Sequence, residues 1–467
     1  MFPGTTGWGI CLGVILVVWI VYYLRRGPAE ALAPALLLSL AFPVWLKLTV
    51  FGIPFNLRSA TAAITMLAFA VHPRGRIVSP LTVLDLCIAL LCCSHVFTDT
   101  WHDGFSMAIP FRAYGEWALP YVAGRYAIRN YDDLVTASKW AVGVMLFLSI
   151  LAIIETMTRV NVAELVFGER PEELARRNAT RMGYKRAYVT AMHPIYFGML
   201  LAVLTPWLVC LFEKKESTGW RSFAMLTIPV LIVGILSTIS RTPVVTILGS
   251  WVLLFAIIIR WLRVPTATLI ALGLAVFLIF PYQVTDFIEK HTAHGRNRLV
   301  EMNGSAVVYS ASRARLLLPI AYAKAMSNAG VVGYGTLATQ TFPLNIPYLG
   351  GTAETREELK MVDNAYVLTV LRLGWLGGFL VIVLLITGML SCLVLYQRRP
   401  DKLFPAALLG LLIVYSFVSL NLVSQVYDFF LPVLWMLGIV SGLLIHRSGS
   451  SRMPDFKPAF AAPRRNP

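Results

Sequence analysis

The sequence predicts an all-α polytopic membrane protein, and three observations carry that prediction. Of 467 residues, 57% are hydrophobic and only 14% charged, whereas a soluble domain is about a quarter charged. The apolar residues come in blocks of about 20, the length that crosses a hydrocarbon core of ~30 Å at ~1.5 Å per residue. These blocks recur from end to end of the chain, so the membrane part is the bulk of the protein and not an anchor on it.

In chain order, hydropathy places spans at Trp8–Leu24, Ala31–Val50, Ser59–Val71, Leu81–Phe97, Phe105–Ala127, Leu134–Met157 and Thr190–Phe212. Six more follow at Phe223–Ile239, Val244–Trp261, Val264–Tyr282, Ala365–Leu395, Ala406–Leu422 and Phe430–Ile445. That makes about 13, or about 12 if the short third or the polar fifth block does not cross. The first block lacks a charged leader and a small-residue cleavage site, so it reads as a retained span.

Charge sets the orientation. Arg25 and Arg26, Arg74 and Arg76, Arg125 and Arg129, Lys214, Lys215 and Arg221, Arg260 and Arg263, Arg398, Arg399 and Lys402, and Arg447 and Arg452 fall in alternate connections. The positive-inside rule makes that side cytoplasmic, with the C-terminus. The opposite side carries two long segments, 158–189 and 283–362. The chain therefore divides into N-terminal spans (1–104), central spans with the first outer loop (105–282), a large outer loop (283–362), C-terminal spans (363–446) and a basic, Pro-containing tail (447–467) read as disordered. Within the large loop, Ser312–Met326 reads as an amphipathic helix capped by Ser312, followed by a turn at Gly330, Gly333 and Gly335.

Several function classes are disfavoured. The net charge of +16 lies largely in short loops and the tail, where it suits an anionic leaflet better than nucleic acid. The six cysteines all lie in apolar blocks with no CxxC pair or Cys/His ligand spacing, so they read as packing residues. No P-loop, GxGxxG, HExxH or DxD motif is present, so a soluble nucleotide donor and a metal cofactor are unsupported.

The charges that invite chemistry are arginines of the outer side. Arg176, Arg177, Arg181, Lys185 and Arg186 crowd the end of the first loop, Arg241 sits in the tight Ser240–Pro243 turn, and Arg313 and Arg315 lie in the presumed loop helix. Guanidinium forks grip phosphate oxygens in pairs, which suits a pyrophosphate held at the lipid–water boundary. Arg176 and Arg177 read instead as partners of Glu169, Glu172 and Glu173, while Arg241 has no evident acid nearby in sequence. Asp363, beside Asn364, reads equally as a helix cap and as a base. His193-Pro194 reads as an interface residue at a span's outer end, and Glu155 lies near the outer end of another. Arg112 and Glu116, four apart, read as a structural ion pair; His291 and His294 read as loop residues. Lys47 and Asp85 are the charges assigned to span interiors.

The spacing around Asp363 resembles a known family. Asp363-Asn364, nine residues, then Gly374-Trp-Leu-Gly377 is similar to the His-Asn, nine residues, Gly-x-x-Gly pattern of the O-antigen ligase and Wzy-type polysaccharide polymerase superfamily. Lys185-Arg186 ahead of His193-Pro194, the Ser240-Arg241-Thr242 turn, and Ser312-Arg313-Ala-Arg315 followed by Gly333-Tyr-Gly335 resemble further family features in order, over roughly Phe105 to Leu395. The resemblance implies a GT-C-like fold and a metal-independent, inverting glycosyltransferase without cofactor. Its substrate would be an undecaprenyl-pyrophosphate-linked glycan at the outer face of the bacterial inner membrane, with a flippase and a chain-length co-polymerase as partners. It further implies that Arg186, Arg241, Arg313 and Arg315 hold pyrophosphate and that Asp363 is catalytic, with Asn364, His193, Arg181, Gly333 and Gly335 supporting. Asp363 stands where ligases carry histidine, which favours polymerisation of repeat units over ligation to lipid A-core or protein. A solute transporter is the rival from another class.

Overall fold

The computed structural model describes residues 80–168, 180–181, 183–213, 217–281, 322–340, 362–421 and 430–445, with shorter pieces of 11–55 and 283–320. Its long helices are α1 (Val83–Asp103), α4 (Tyr131–Thr158), α8 (Thr218–Ser237), α9 (Arg241–Ile258), α10 (Arg263–Ile279) and α13 (Ala365–Arg398). Each is long and apolar enough to cross a membrane, α10 together with the turn before it at Arg260–Leu262. Shorter helices are α2 (Ala108–Ala113), α3 (Leu119–Ala127), α5 (Val162–Phe167), α6 (Pro194–Val203), α7 (Thr205–Cys210), α11 (Ala323–Ala329), α12 (Gly335–Gln340), α14 (Phe404–Val418) and α15 (Phe430–Ile445). The chain is a multi-pass, mainly helical membrane protein. Among the described residues there are also three two-stranded antiparallel hairpins: β1–β2 (Leu48–Val50, Ile53–Phe55), β3–β4 (Thr180–Arg181, Tyr184–Lys185) and β5–β6 (Arg298–Met302, Ser305–Tyr309).

Three expected spans change. Ala31–Val50 is not one helix: helix is found at Leu37 and Ser39–Ala41, and Leu48–Val50 pairs with Ile53–Phe55. Pro43 removes a backbone donor just after the helix, and β-branched residues follow. Phe105–Ala127 is also interrupted, because a π-helical turn at Tyr114–Ala118 separates α2 from α3. Thr190–Phe212 begins later, at Pro194, and breaks at Leu204 ahead of Pro206. Phe430–Ile445 is found as expected. Ser59–Val71, most of the first block, Ser312 and the tail 447–467 lie outside the described residues.

Lipid tails give helices no hydrophobic reason to associate, so close contact depends on small residues. The α3–α15 crossing shows this. A Cβ on Gly124 would lie 2.1 Å from the Trp435 carbonyl oxygen, and one on Gly438 2.0 Å from that of Tyr121. Around this crossing sits an aromatic centre. The Trp207 and Trp435 ring centroids are 4.8 Å apart, Trp207 meets Phe404 edge-on at 5.7 Å, and Trp117 meets Phe430 at 5.9 Å. Buried Cys87, Cys210 and Cys392 pack in the same core. By contrast α10 buries no residue at all.

Polar contacts tie the loops into two opposite ends. At one end Lys402 Nζ bonds Glu213 at 2.5 Å and lies 4.8 Å over the Tyr131 ring. Arg125 joins Asp85 (2.8 Å), Ser441 and the Pro80 carbonyl there. Asp85 is thus not deep in a span; it belongs to the first turn of α1, in a capping box with Thr82. At the other end lie Asp103, Thr158, Pro194, Arg241 and Ala365. These two groups are the two sides that the alternating charges distinguish.

Candidate functional site

The described parts of the 158–189 segment fold back onto the helix ends. Asn161 caps α5 through the Glu164 N–H (2.9 Å), and its amide donates to the Val189 carbonyl (3.0 Å). Buried Glu155, on the last turns of α4, accepts the N–H groups of Tyr188 (3.2 Å) and Val189 (2.9 Å) through one carboxylate oxygen. Lys185 approaches the other oxygen at 3.5 Å. Glu155 therefore fixes the segment that follows β4, and with it the direction of Arg186.

Arg186 is 5% exposed. Its Nε donates to the Thr238 carbonyl (3.0 Å) and an Nη to the Ser240 hydroxyl (2.7 Å), on either side of Ile239. Arg181 reaches the Ile239 carbonyl itself at 3.4 Å. Arg241 follows immediately as the first residue of α9, whose N-cap Ser240 makes no side-chain capping bond. Two arginines singled out in the sequence, Arg181 and Arg186, thus converge on residues 238–240, directly before a third, Arg241. Among the described residues, the bonding partners of Arg181 and Arg186 are carbonyls and a hydroxyl, with no carboxylate. Burial, together with the charge of Arg181, pushes Arg186 down to about 10, so it remains cationic at neutral pH.

The backbone here is strained. Ile239 has φ 47° and Val189 φ 43°, a region that costs a β-branched residue ~1–3 kcal/mol and collects at functional sites. Ile239 lies between the two residues that bond Arg186, and Val189 donates to Glu155. His193 packs close by as the N-cap of α6: its Nδ1 accepts the Ile195 N–H at 3.2 Å, so that nitrogen carries no proton. A Cβ on Gly198, one turn further, would lie 2.6 Å from Pro243. His193 is accordingly a capping residue, not a plain interface side chain.

At the start of α13 the cap is Asn364 and not Asp363. Its Oδ1 accepts from Tyr366 N (3.1 Å) and Val367 N (3.0 Å). Asp363 is half-buried beside it. Gly333 and Gly374 have a structural explanation. Gly374 breaks α13 at φ 72°, and a Cβ there would lie 2.0 Å from the Val331 carbonyl oxygen; one on Gly333 would lie 2.4 Å from Gly374 N. Tyr334 N then bonds the Leu371 carbonyl (2.7 Å) and Trp375 N that of Gly330 (3.0 Å). The glycine turn is keyed into the gap in the helix. Gly335, φ 84°, faces Asp99 Oδ1, 3.5 Å from the position its Cβ would take. Arg313, Arg315, Arg176 and Arg177 lie outside the described residues.

Next to this turn is a charged cluster that the sequence reading passes over. Arg372 grips Glu116 through two 2.7 Å bonds and donates to Thr336 Oγ1 at 2.8 Å. His95 Nδ1 accepts from the Trp117 indole (3.2 Å), which leaves Nε2 to donate toward Asp99 (3.2 Å). Asp99 also accepts the Thr336 N–H (2.8 Å) and faces Arg112 at 3.6 Å. The expected Arg112–Glu116 pair is therefore replaced. The intervening π turn widens the helix, so residues four apart no longer stack. Two signals pointed here: an arginine inside an apolar run, and His95 with Asp99 one turn apart on α1. Among the described residues no three His, Cys, Asp or Glu side chains form a metal-ligand set.

Compared with known proteins, the chain matches no family model and no curated sequence.

Proposed function

We propose that the chain is a GT-C-like membrane glycosyltransferase of the bacterial inner membrane, with 12 or 13 spans and a cytoplasmic C-terminus. It would polymerise undecaprenyl-pyrophosphate-linked repeat units into exopolysaccharide or O-antigen at the outer face. The observation that carries the reading is the convergence of Arg181, Arg186 and Arg241 on one strained turn at a helix N-terminus. Guanidinium groups and helix N–H dipoles both favour phosphate. In this reaction an acceptor hydroxyl attacks the anomeric carbon and loses its proton to Asp363. The glycosidic bond to pyrophosphate breaks with inversion, and the arginines stabilise the charge on the departing oxygens.

The test is glycan analysis of a deletion strain complemented with wild type, Arg241→Ala or Asp363→Ala, with membrane insertion checked in parallel. Single repeat units with either variant and polymer with wild type support the proposal; removing one such donor costs ~100-fold or more in rate. Long glycan left unattached would make the chain a ligase instead. The buried His95–Asp99–Glu116–Arg372 cluster is the observation that favours a transporter, since intramembrane charges often mark solute paths. Uptake by vesicles containing the purified protein and no lipid-linked sugar would establish that reading.

A further inference from the structure

Glu155 is a buried carboxylate in the last turn of α4, 1% exposed, and the reaction proposed above gives it no task. An ion pair with Lys185 does not account for it. Lys185 Nζ stands 3.5 Å from Oε1 and donates to the Arg159 carbonyl at 3.1 Å, so Oε1 receives no hydrogen bond. The directed bonds go to Oε2, from the consecutive N–H groups of Tyr188 and Val189. The Val189 carbonyl is held too, by the Asn161 amide at 3.0 Å. Beside Glu155, Thr156 Oγ1 donates to the Ser237 carbonyl (3.0 Å), which also accepts the Ala187 N–H (3.0 Å). The end of α4 thus grips the residues that follow Arg186, and the residue that precedes its acceptors Thr238 and Ser240.

We propose that Glu155 is a positioning residue for anion binding at the arginine turn: it holds the Tyr188–Val189 backbone in the conformation that aims Arg186 at the anion. The inference rests on the anion-binding reading of that turn. By charge alone a carboxylate near an anion is unfavourable, so a buried one there has a geometric reason. That reason is Val189. Its φ of 43° is rarely adopted by a β-branched residue and persists only where neighbours over-determine it. Arg186 commits its Nε and one Nη to Thr238 and Ser240, so its backbone setting decides where the remaining guanidinium N–H groups point. Charge and geometry therefore predict opposite signs for the loss of Glu155. Removing a negative charge strengthens the binding of an anion; releasing Arg186 weakens it.

The experiment pairs two readouts on the full-length protein in nanodiscs. One is labelling of Arg186 by phenylglyoxal, mapped by mass spectrometry; the other is calorimetric affinity for inorganic pyrophosphate. Glu155→Met, similar in length but without an acceptor oxygen, should raise the labelling about tenfold and weaken pyrophosphate binding about tenfold. Glu155→Gln keeps one acceptor oxygen and should restore both to near the wild-type values. On an Arg186→Lys background, which keeps the charge, Glu155→Met should weaken binding no further. Asn161→Ser keeps a capping hydroxyl for α5 but cannot reach the Val189 carbonyl. It should act in the same direction as Glu155→Met, and serves if that variant does not fold. Unchanged labelling with unchanged or tighter pyrophosphate binding in Glu155→Met overturns the proposal, and so does a full additive loss on the Arg186→Lys background. If labelling rises but the wild type itself binds no pyrophosphate, Glu155 still positions Arg186, and the anion-binding reading of the turn is what falls.

Discussion

Two charged clusters lie at the end of this molecule where Asp103 and Arg241 stand, and they are built in opposite ways. Around Arg372 every charge has a counterpart. Glu116 takes two of its bonds, Asp99 faces Arg112, and His95, Thr336 and Trp117 fill the remaining positions. The glycine turn is locked on top, with Thr98 donating to the Val332 carbonyl and His102 paired with that of Gly333. Around residues 238–241 Arg181 and Arg186 bond to carbonyls and a hydroxyl of a strained turn. A balanced cluster has spent its hydrogen-bonding capacity on joining helices. A cationic one on a strained turn keeps field and geometry for an anion. The first joins helices, and the second is the one proposed above to hold an anion.

That contrast can be broken from either side. The largest effect is expected at the glycine lock. Gly374→Ala places a Cβ 2.0 Å from the Val331 carbonyl oxygen on a residue with φ 72°, and should abolish monodisperse protein in fluorescence-detected size-exclusion chromatography. Normal elution would mean that the turn and α13 are not rigidly keyed. Next, Arg372→Met leaves Glu116 without its partner and should cost about 3–5 kcal/mol in detergent unfolding. Adding Glu116→Leu should recover most of that. If the double variant is no better than the single, Arg372 does more than balance charge. The smallest effect separates the clusters most sharply. Ile239→Gly relieves the positive φ and should stabilise the fold by about 1 kcal/mol, while loosening the carbonyls and hydroxyl that hold Arg186. A loss of stability instead would show that Ile239 is not strained.

The apolar blocks were legible because bilayer thickness imposes a length that one sequence displays directly. Most span positions therefore hold to within a few residues, from Tyr131–Thr158 to Phe430–Ile445. The exceptions have local causes. Pro43 ends a helix that hydropathy alone would continue, and the π turn at Tyr114–Ala118 breaks a periodicity that hydropathy does not register. The arginine turn was legible in part. Arg181, Arg186 and Arg241 stand out by residue type and by their place between apolar blocks, but sequence spacing does not reveal that Arg186 would lie against Ser240.

By itself, then, the sequence determined a multi-pass helical membrane chain and the loop position of its arginines. Both follow from one-dimensional quantities, the length of an apolar run and the count of charges in a loop. Tertiary structure alone decided the pairings. It made Asn364 rather than Asp363 the cap of α13, and turned His193 into a cap. It gave Glu116 to Arg372 instead of Arg112, and made Gly333 and Gly374 two halves of one lock. Each of these depends on which helix faces are brought within ~3 Å, and close approach between segments far apart in sequence leaves no periodic trace in either one.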